Sequence, residues 1–286
     1  MNTQPTLFVS HGAPTFALEP GEIGRTLKHL GQQLLPLNAV VVISPHWMTD
    51  QVRVTASAKP PTIHDFRGFD PALYDIEYPA QGHPDLARQV VEQLKSSGWS
   101  SSLDDQRGLD HGAWVPLLHL LPDARVPVIQ VSLPAALDAS GAWQLGRALK
   151  SLTGQGVLIV GSGSLTHNLH EVFQGAEDSA YAVEFAHWIR DAVRAGDAQR
   201  LLSSLDIAPA AKRAHPTPEH YWPLLVAAGA GRLEPAAVLE GGMRYEVLAM
   251  DAFVFGRGVS GRVSDNSQAD SSMKAATDRQ PTMPSH

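Results

Sequence analysis

The sequence of 286 residues contains no cysteine, which removes disulfides, thiolate zinc sites, iron–sulfur clusters and a cysteine nucleophile together. Positive charge is also scarce. The 22 Lys and Arg face 29 Asp and Glu, a formal net charge of −7, and no segment concentrates the cations. The basic footprint demanded by nucleic acid or an anionic membrane surface is therefore missing, and neither is expected as a partner. No apolar run approaches the ~20 residues of a membrane span. Residues 1–8 lack both the basic start and the apolar stretch of a secretory leader. A soluble, cytoplasmic protein is expected.

What is present is a chain 43% hydrophobic, enough to build the core of one α/β domain of about 250 residues. Short β-branched or apolar runs predict strands over residues 6–10, 39–44, 126–133 and 157–160. Between and after them, helical spacing predicts helices over 22–35, 84–94, 112–121, 142–152, 180–195, 198–205 and 218–230, before a strand-like run over 245–255. The all-apolar run Val157-Leu158-Ile159-Val160 suits a strand buried on both faces of a parallel sheet. The expectation is a single α/β domain over residues 1–256, with a central, mostly parallel sheet flanked by helices. Residues 257–286 contain no Leu, Ile or aromatic residue and are rich in Ser, Asp, Gln and Gly. They read as a disordered tail.

Thirteen histidines matter by position more than by number. His11 follows the first predicted strand, His46 the second, and His167 follows the strand at 157–160 through Gly161-Ser162-Gly163-Ser164, read as a turn. In open parallel sheets that carboxyl edge is where ligands bind. His215 and His220 frame the start of the last long helix in His215-Pro216-Thr217-Pro218-Glu219-His220, where the prolines stiffen the loop. His111 stands at another helix start. Taken singly, each has an ordinary structural role open to it. Three at one sheet edge plus one on a stiffened loop point to a metal site. Imidazoles without thiolates suit iron, zinc, copper or nickel, and open coordination positions suit catalysis. His29, His83, His119, His170, His187 and His286 are read as structural or surface residues.

Other chemistries are poorly served. Gly161-Ser162-Gly163-Ser164 lacks the lysine of a P-loop and the third glycine of a dinucleotide fingerprint. The Gly-x-Ser-x-Gly elbow of serine hydrolases is absent too.

Six segments together resemble the DOPA-dioxygenase type of extradiol ring-cleavage enzymes, within the class III, LigB-like superfamily. They are Ser10-His11-Gly12-Ala13-Pro14, Ser44-Pro45-His46-Trp47, Pro61-Thr62-Ile63-His64-Asp65-Phe66, Asp110-His111-Gly112-Ala113-Trp114, Thr166-His167-Asn168-Leu169 and His215-Pro216-Thr217-Pro218-Glu219-His220-Tyr221. The resemblance spans about residues 5–256. It implies a dioxygenase that opens the ring of a catechol, DOPA-like, with O₂. It makes His11, His46 and His220 ligands of one non-haem divalent metal, Fe(II) for activity with Zn(II) open for the isolated protein. His167 becomes the acid–base residue and His111 a catalytic residue lining the substrate pocket. His215, His64, Trp47 and Tyr221 are assigned to the surroundings of substrate and metal. The common non-haem iron site has two His and one carboxylate, so Glu219, next to His220, competes for the third position. A zinc hydrolase using metal-activated water on the same histidines is the alternative.

Overall fold

A computed structural model describes residues 3–175, 178–233 and 236–256. The tail expected over 257–286 lies outside the described residues.

The organising element is a run of apolar side chains within each central strand, successive members of which face opposite ways. In β2 (Ala39–Thr49), Val41 and Ile43 join one core while Val40 and Val42 join another. The same alternation runs through β1 (Thr6–Ser10), where Phe8 opposes Leu7 and Val9, and through β6 (Val157–Gly163), where Val157 and Ile159 oppose Leu158 and Val160. A strand with this composition must be covered on both faces. Each fully buried Val, Ile or Leu contributes roughly 1.5–3 kcal/mol, so these strands fix the middle of the molecule.

Eight strands form one sheet in the order β4-β3-β5-β2-β6-β1-β10-β7. Its centre, β5 (Val128–Pro134), β2, β6 and β1, is parallel throughout. On one side β3 (Val52–Thr55) pairs antiparallel with β5 and parallel with β4 (Ser101–Asp104). On the other, β10 (Ala252–Phe255) runs antiparallel to both β1 and β7 (Ala237–Leu239). A separate two-stranded ribbon joins β8 (Met243–Arg244) and β9 (Leu248–Ala249).

Helices cover both faces. α1 (Gly21–Leu34) buries Ile23, Leu27, Leu30 and Leu34 at helical spacing, and α3 (His111–Leu120) lies on the same face. The opposite face carries α2 (Pro84–Ser96), α4 (Ala139–Leu149), α6 (Ala180–Arg194), α7 (Ala198–Ile207) and α9 (Trp222–Ala230). The short α5 (Leu169–Gln174) and α8 (Ala211–Ala214) lie between β6 and α9 in the chain. Among the described residues no helix is long and apolar enough to cross a membrane.

The sheet and helices follow the expected architecture, with four local differences. First, β2 runs on to Thr49, with a register shift between Ile43 and Met48. Pro45 has no N–H for the ladder, so the strand bulges there, and His46 sits on the irregularity rather than beyond the strand.

Second, Gly161, Ser162 and Gly163 are strand, not turn. They pair with Phe8, Val9 and Ser10 of β1, and all three are buried. Third, the predicted helix over 218–230 starts only at Trp222. Residues 218–221 form a turn that carries His220. Fourth, the run over 245–255 divides, because Tyr245 and Glu246 adopt positive φ of 45° and 60° and turn the chain between β8 and β9. β3, β4 and β7 are short edge-side strands that the apolar pattern did not single out.

Candidate metal centre and active site

His11 leaves β1 at its carboxyl end. Its N–H donates to the Gly163 carbonyl at 2.9 Å, so the residue is still held against β6. Gly12 then turns the chain at φ +61°, where an added Cβ would lie 2.6 Å from the Met250 sulfur. Only glycine meets both demands. The turn leaves the His11 ring pointing over the sheet edge, where its Nδ1 meets the Ser162 hydroxyl at 3.0 Å.

His46 reaches the same point from the bulge in β2, and its Nε2 lies 3.1 Å from His11 Nε2. Its backbone is fixed on both sides: the N–H donates to Ser44 Oγ at 3.2 Å, and the Arg107 guanidinium donates to its carbonyl at 3.1 Å. Arg107 also donates to Asp110, a buried carboxylate that caps α3 by accepting from the Ala113 N–H and that receives Gln130 Nε2 at 2.9 Å. The cap sets His111 as the first residue of α3. Asp65 accepts from both the His111 N–H and Nδ1–H, each at 2.9 Å.

His220 comes from the opposite direction. Its carbonyl accepts from the Ser164 N–H at 3.0 Å, and a Cβ on Gly163 would come within 2.3 Å of that same carbonyl oxygen. The bare glycine is thus what lets the turn before α9 settle on β6. His220 Nδ1 is 3.1 Å from Glu219. His220 Nε2 is buried without a hydrogen-bond partner among the described residues. His167, with its N–H donating to the Ala214 carbonyl at 2.7 Å, stacks on His220 at 3.4 Å between ring centres.

The five rings form one cluster. His11 to His220, His46 to His220 and His46 to His111 measure 5.5, 5.1 and 3.9 Å between ring centres. Two groups of ligand atoms, each within 4.8 Å of one another, can be drawn from it: His11, His46 and His111, and His167, Glu219 and His220. The expected ligand set takes two members from the first and one from the second. His11, His111 and His220 each engage a partner through Nδ1, leaving Nε2 for the centre of the cluster. This is the outer-partner arrangement that orients metal-bound imidazoles. A buried nitrogen without a partner, on a ring packed among other imidazoles, is costly unless something binds it. The donor set therefore fits a divalent metal.

Electrostatics favour the neutral form of His11, His46, His167 and His220. Burial, then the mutual repulsion of the imidazoles, holds His11 and His220 well below the ordinary histidine range. Burial and neighbouring His111 push His46 down to about 3 against the pull of Asp65. Burial, with His215 nearby, takes His167 down to about 4. Asp65 is raised by burial, but hydrogen bonds from His111 prevail and hold its carboxyl at about 2. Neutral imidazoles are the form that binds metal.

The cluster floors a cavity of about 250 Å³ whose walls are Pro14, Phe66, Phe69, Leu169, Val172, Phe173, Tyr245 and Leu248. The remaining residues named from the sequence stand behind it. His215 is buried and its Nε2–H donates to the Leu165 carbonyl at 2.8 Å. His64 is 3.0 Å from the Ile76 carbonyl and lies edge-on to Phe66. Trp47 packs beneath Arg107, and the Tyr221 hydroxyl bonds Ser204 at 2.6 Å inside the helical layer. None of these four lines the cavity. Asp65 and Ser162 were not singled out by sequence reasoning. The adjacency of Asp65 to His64 was the one available signal, since the partners are 46 and 151 residues distant in the chain.

The histidines set aside also take ordinary places. His83 caps α2, His119 bonds the Phe16 carbonyl, and His29, His170 and His187 are exposed. His286 lies outside the described residues.

The chain is 40% identical over 234 residues to a 4,5-DOPA dioxygenase extradiol of Beta vulgaris, covering 80% of this chain and 87% of that protein. It is 38% identical over 253 residues to the protein of the same name from Escherichia coli strain K12, covering 86% and 92%. A crystal structure of an uncharacterized Escherichia coli K12 protein superposes with a TM-score of 0.73 at 30% identity, covering 88% of this chain and 100% of that one. Residues 7–256 match the family described as the catalytic LigB subunit of aromatic ring-opening dioxygenase, and the chain belongs to that family.

Proposed function

We propose that the protein is a metal-dependent extradiol dioxygenase that opens the ring of a catechol beside its two hydroxyls, using O₂. The observation that carries this reading is the partnerless, buried His220 Nε2, on a ring 5.5 and 5.1 Å between centres from the rings of His11 and His46, beneath an apolar cavity. Family membership and the names of the relatives support it. Residues 1–256 would constitute the catalytic domain.

His11, His46 and His220 would hold the metal, with Ser162 and Glu219 setting the rings of His11 and His220 from behind. Glu219 is thereby engaged as an orienting partner of His220 rather than as a ligand. A bound Fe(II) supplies Lewis acidity toward the catechol oxygens and a path for electrons to O₂. Zinc suits the same donors, and is the metal expected where the isolated protein has lost iron.

The chain's own residues do the rest. His167 is neutral at pH 7 because of its burial, so its lone pair is available to take a catechol hydroxyl proton and return it later. Its stacking on His220 fixes that lone pair beside the ligand cluster. His111, locked through Nδ1 by Asp65, presents Nε2 to the substrate's oxygens. Phe66 and Phe69 flank the ring and exclude water. No feature of the cavity favours the zinc hydrolase over this reading.

The test is O₂ uptake with a panel of catechols, on protein reconstituted anaerobically with Fe(II) and separately with Zn(II). Fe(II)-dependent uptake with a yellow ring-opened product is expected. Uptake should fall by roughly 10²–10⁴-fold in His167→Ala, with metal content unchanged. Full metal occupancy without uptake on any catechol would overturn the proposal, and normal turnover in His167→Ala would overturn the assignment of the base.

A further inference from the structure

The cavity above the histidines holds one polar side chain that the ring-opening chemistry leaves unused. Among the described residues that line it, Tyr245 is the only one outside the histidine cluster with a polar side-chain atom. The residue is 44% exposed, which puts it at the mouth. Its hydroxyl lies 2.7 Å from Thr15 Oγ1. A catechol whose hydroxyls sit on the histidine floor turns its ring substituent toward that mouth.

The backbone gives the second observation. Tyr245 and Glu246 hold φ at 45° and 60°, a region that side chains disfavour and that hairpin turns ordinarily fill with Gly, Asn or Asp. Such a conformation persists where surrounding contacts over-determine it, and residues held this way concentrate at ligand sites. Here the contacts come from two sides. Arg244 lies over Phe16, 5.5 Å from the ring centre, and donates to the Glu19 carbonyl, which ties the β8–β9 ribbon to the segment after Gly12. Thr166, next to His167, donates to the Val247 carbonyl at 2.6 Å and accepts from the Ala249 N–H at 2.8 Å. The turn that carries Tyr245 is thus fastened to the loops that follow His11 and precede His167.

The hydroxyl pair has hydrogen-bonding capacity to spare. Two hydroxyls sharing one hydrogen bond use one of their two protons, and neither oxygen has a further partner among the described residues. With Thr15 as donor, the Tyr245 O–H is left to donate to a ligand. The other wall side chains, Phe66, Phe69, Leu169, Val172 and Phe173 among them, offer apolar contact. Resting on the ring-opening reading above, we infer that Tyr245 is a specificity-determining residue, its hydroxyl donating to a carboxylate at the end of a short substituent on the catechol ring. Thr15 is a positioning residue that orients this hydroxyl. Because the mouth is open, the carboxylate keeps part of its hydration, and one donor there sets a preference of severalfold rather than of orders of magnitude.

The experiment measures anaerobic binding of dihydroxyphenylpropanoate and of para-propylcatechol, the same ring and chain length without the carboxylate, to the Fe(II)-loaded protein by calorimetry, followed by turnover after O₂ is admitted. The ratio of the two dissociation constants is the readout. Tyr245→Phe removes the hydroxyl alone and should shift that ratio about fivefold against the propanoate. Thr15→Val should shift it the same way by a smaller factor, and Thr15→Ser, which keeps a hydroxyl, should restore it. An unchanged ratio in Tyr245→Phe, whether neither ligand weakens or both weaken equally, would overturn the inference. The expected shift without turnover of either ligand would uphold Tyr245 and overturn ring opening instead, so the two failures are distinguishable. Absence of binding by both ligands would overturn both readings.

Discussion

The two ends of the central sheet make the sharpest contrast in this molecule. At the amino end a cavity of about 510 Å³ is lined by Thr3, Gln4, Lys150, Thr153, Arg232 and their neighbours. At the carboxyl end the cavity is half that size, about 250 Å³. Yet the described groups of ligating side chains both lie at the carboxyl end. The difference is topological. β1, β2 and β6 run parallel, so their last residues and the loops after them arrive at one place from three strands. At the amino end the lining comes from the turn before β6, the chain before β1 and the end of α9. Volume there is left over from packing; at the carboxyl end it is bounded by side chains delivered to a point.

The contrast can be broken or sharpened in order of effect. Largest is His11→Ala, which removes a nitrogen 3.1 Å from His46 Nε2. Loss of both bound metal and turnover is expected, checked by elemental analysis beside the O₂ assay; retained stoichiometric metal would exclude His11 from the ligand set.

Gly163→Ala comes next. Its methyl would meet the His220 carbonyl at 2.3 Å, and the overpacking should cost about 1–3 kcal/mol. Thermal unfolding would show a lowered midpoint together with weakened metal binding. An unchanged midpoint would mean that the turn before α9 is free to move.

A pH dependence follows. His167 and His215 are both buried neutral, with values near 4 against 6.5 for an ordinary histidine. The unfolded chain takes up protons as pH falls below about 6.5, whereas the folded chain resists until about 4, so folding stability declines across that window. Each such imidazole withdraws on the order of 1.4 kcal/mol per pH unit. Denaturant titrations at pH 7 and pH 5 on metal-free protein measure it, and a flat profile would contradict neutral burial.

Smallest is Lys150→Ala at the amino-end cavity. Stability should change by no more than about 0.5 kcal/mol, and turnover should match the unsubstituted protein. A loss of activity there would show that the larger cavity communicates with the histidines.

Much of this was legible along the chain because it rests on short-range patterns. Val40 to Ile43 and Val157 to Val160 announce doubly covered strands by composition alone, and His11 and His46 stand at the ends of such runs. Gly161-Ser162-Gly163 misled because glycine and serine usually mark turns. Here β1 holds them in the ladder, and α9 lies so close that nothing larger than glycine fits at Gly161, where a Cβ would be 2.0 Å from the Pro223 carbonyl. The strand β3 reads Val-Arg-Val-Thr, too short to stand out, and is held by β4 and by a single bridge from Val54 to Val131.

The sequence by itself determined which residue types are available for chemistry: no thiol, thirteen imidazoles, and several of them placed at strand ends and on a proline-stiffened loop. It also determined the alternation of strand and helix, because periodicity is local. Tertiary structure alone decided that Ser162 meets the His11 ring, that Asp65 holds His111, and that His220 Nε2 is buried without a partner among the described residues. The meeting of Ser162 with His11 depends on strands β1 and β6 lying side by side, and that of Asp65 with His111 on a loop folding onto the start of α3. Hydrogen bonding across a sheet carries no record in the order of residues along the chain, and so the site exists only once the sheet has formed.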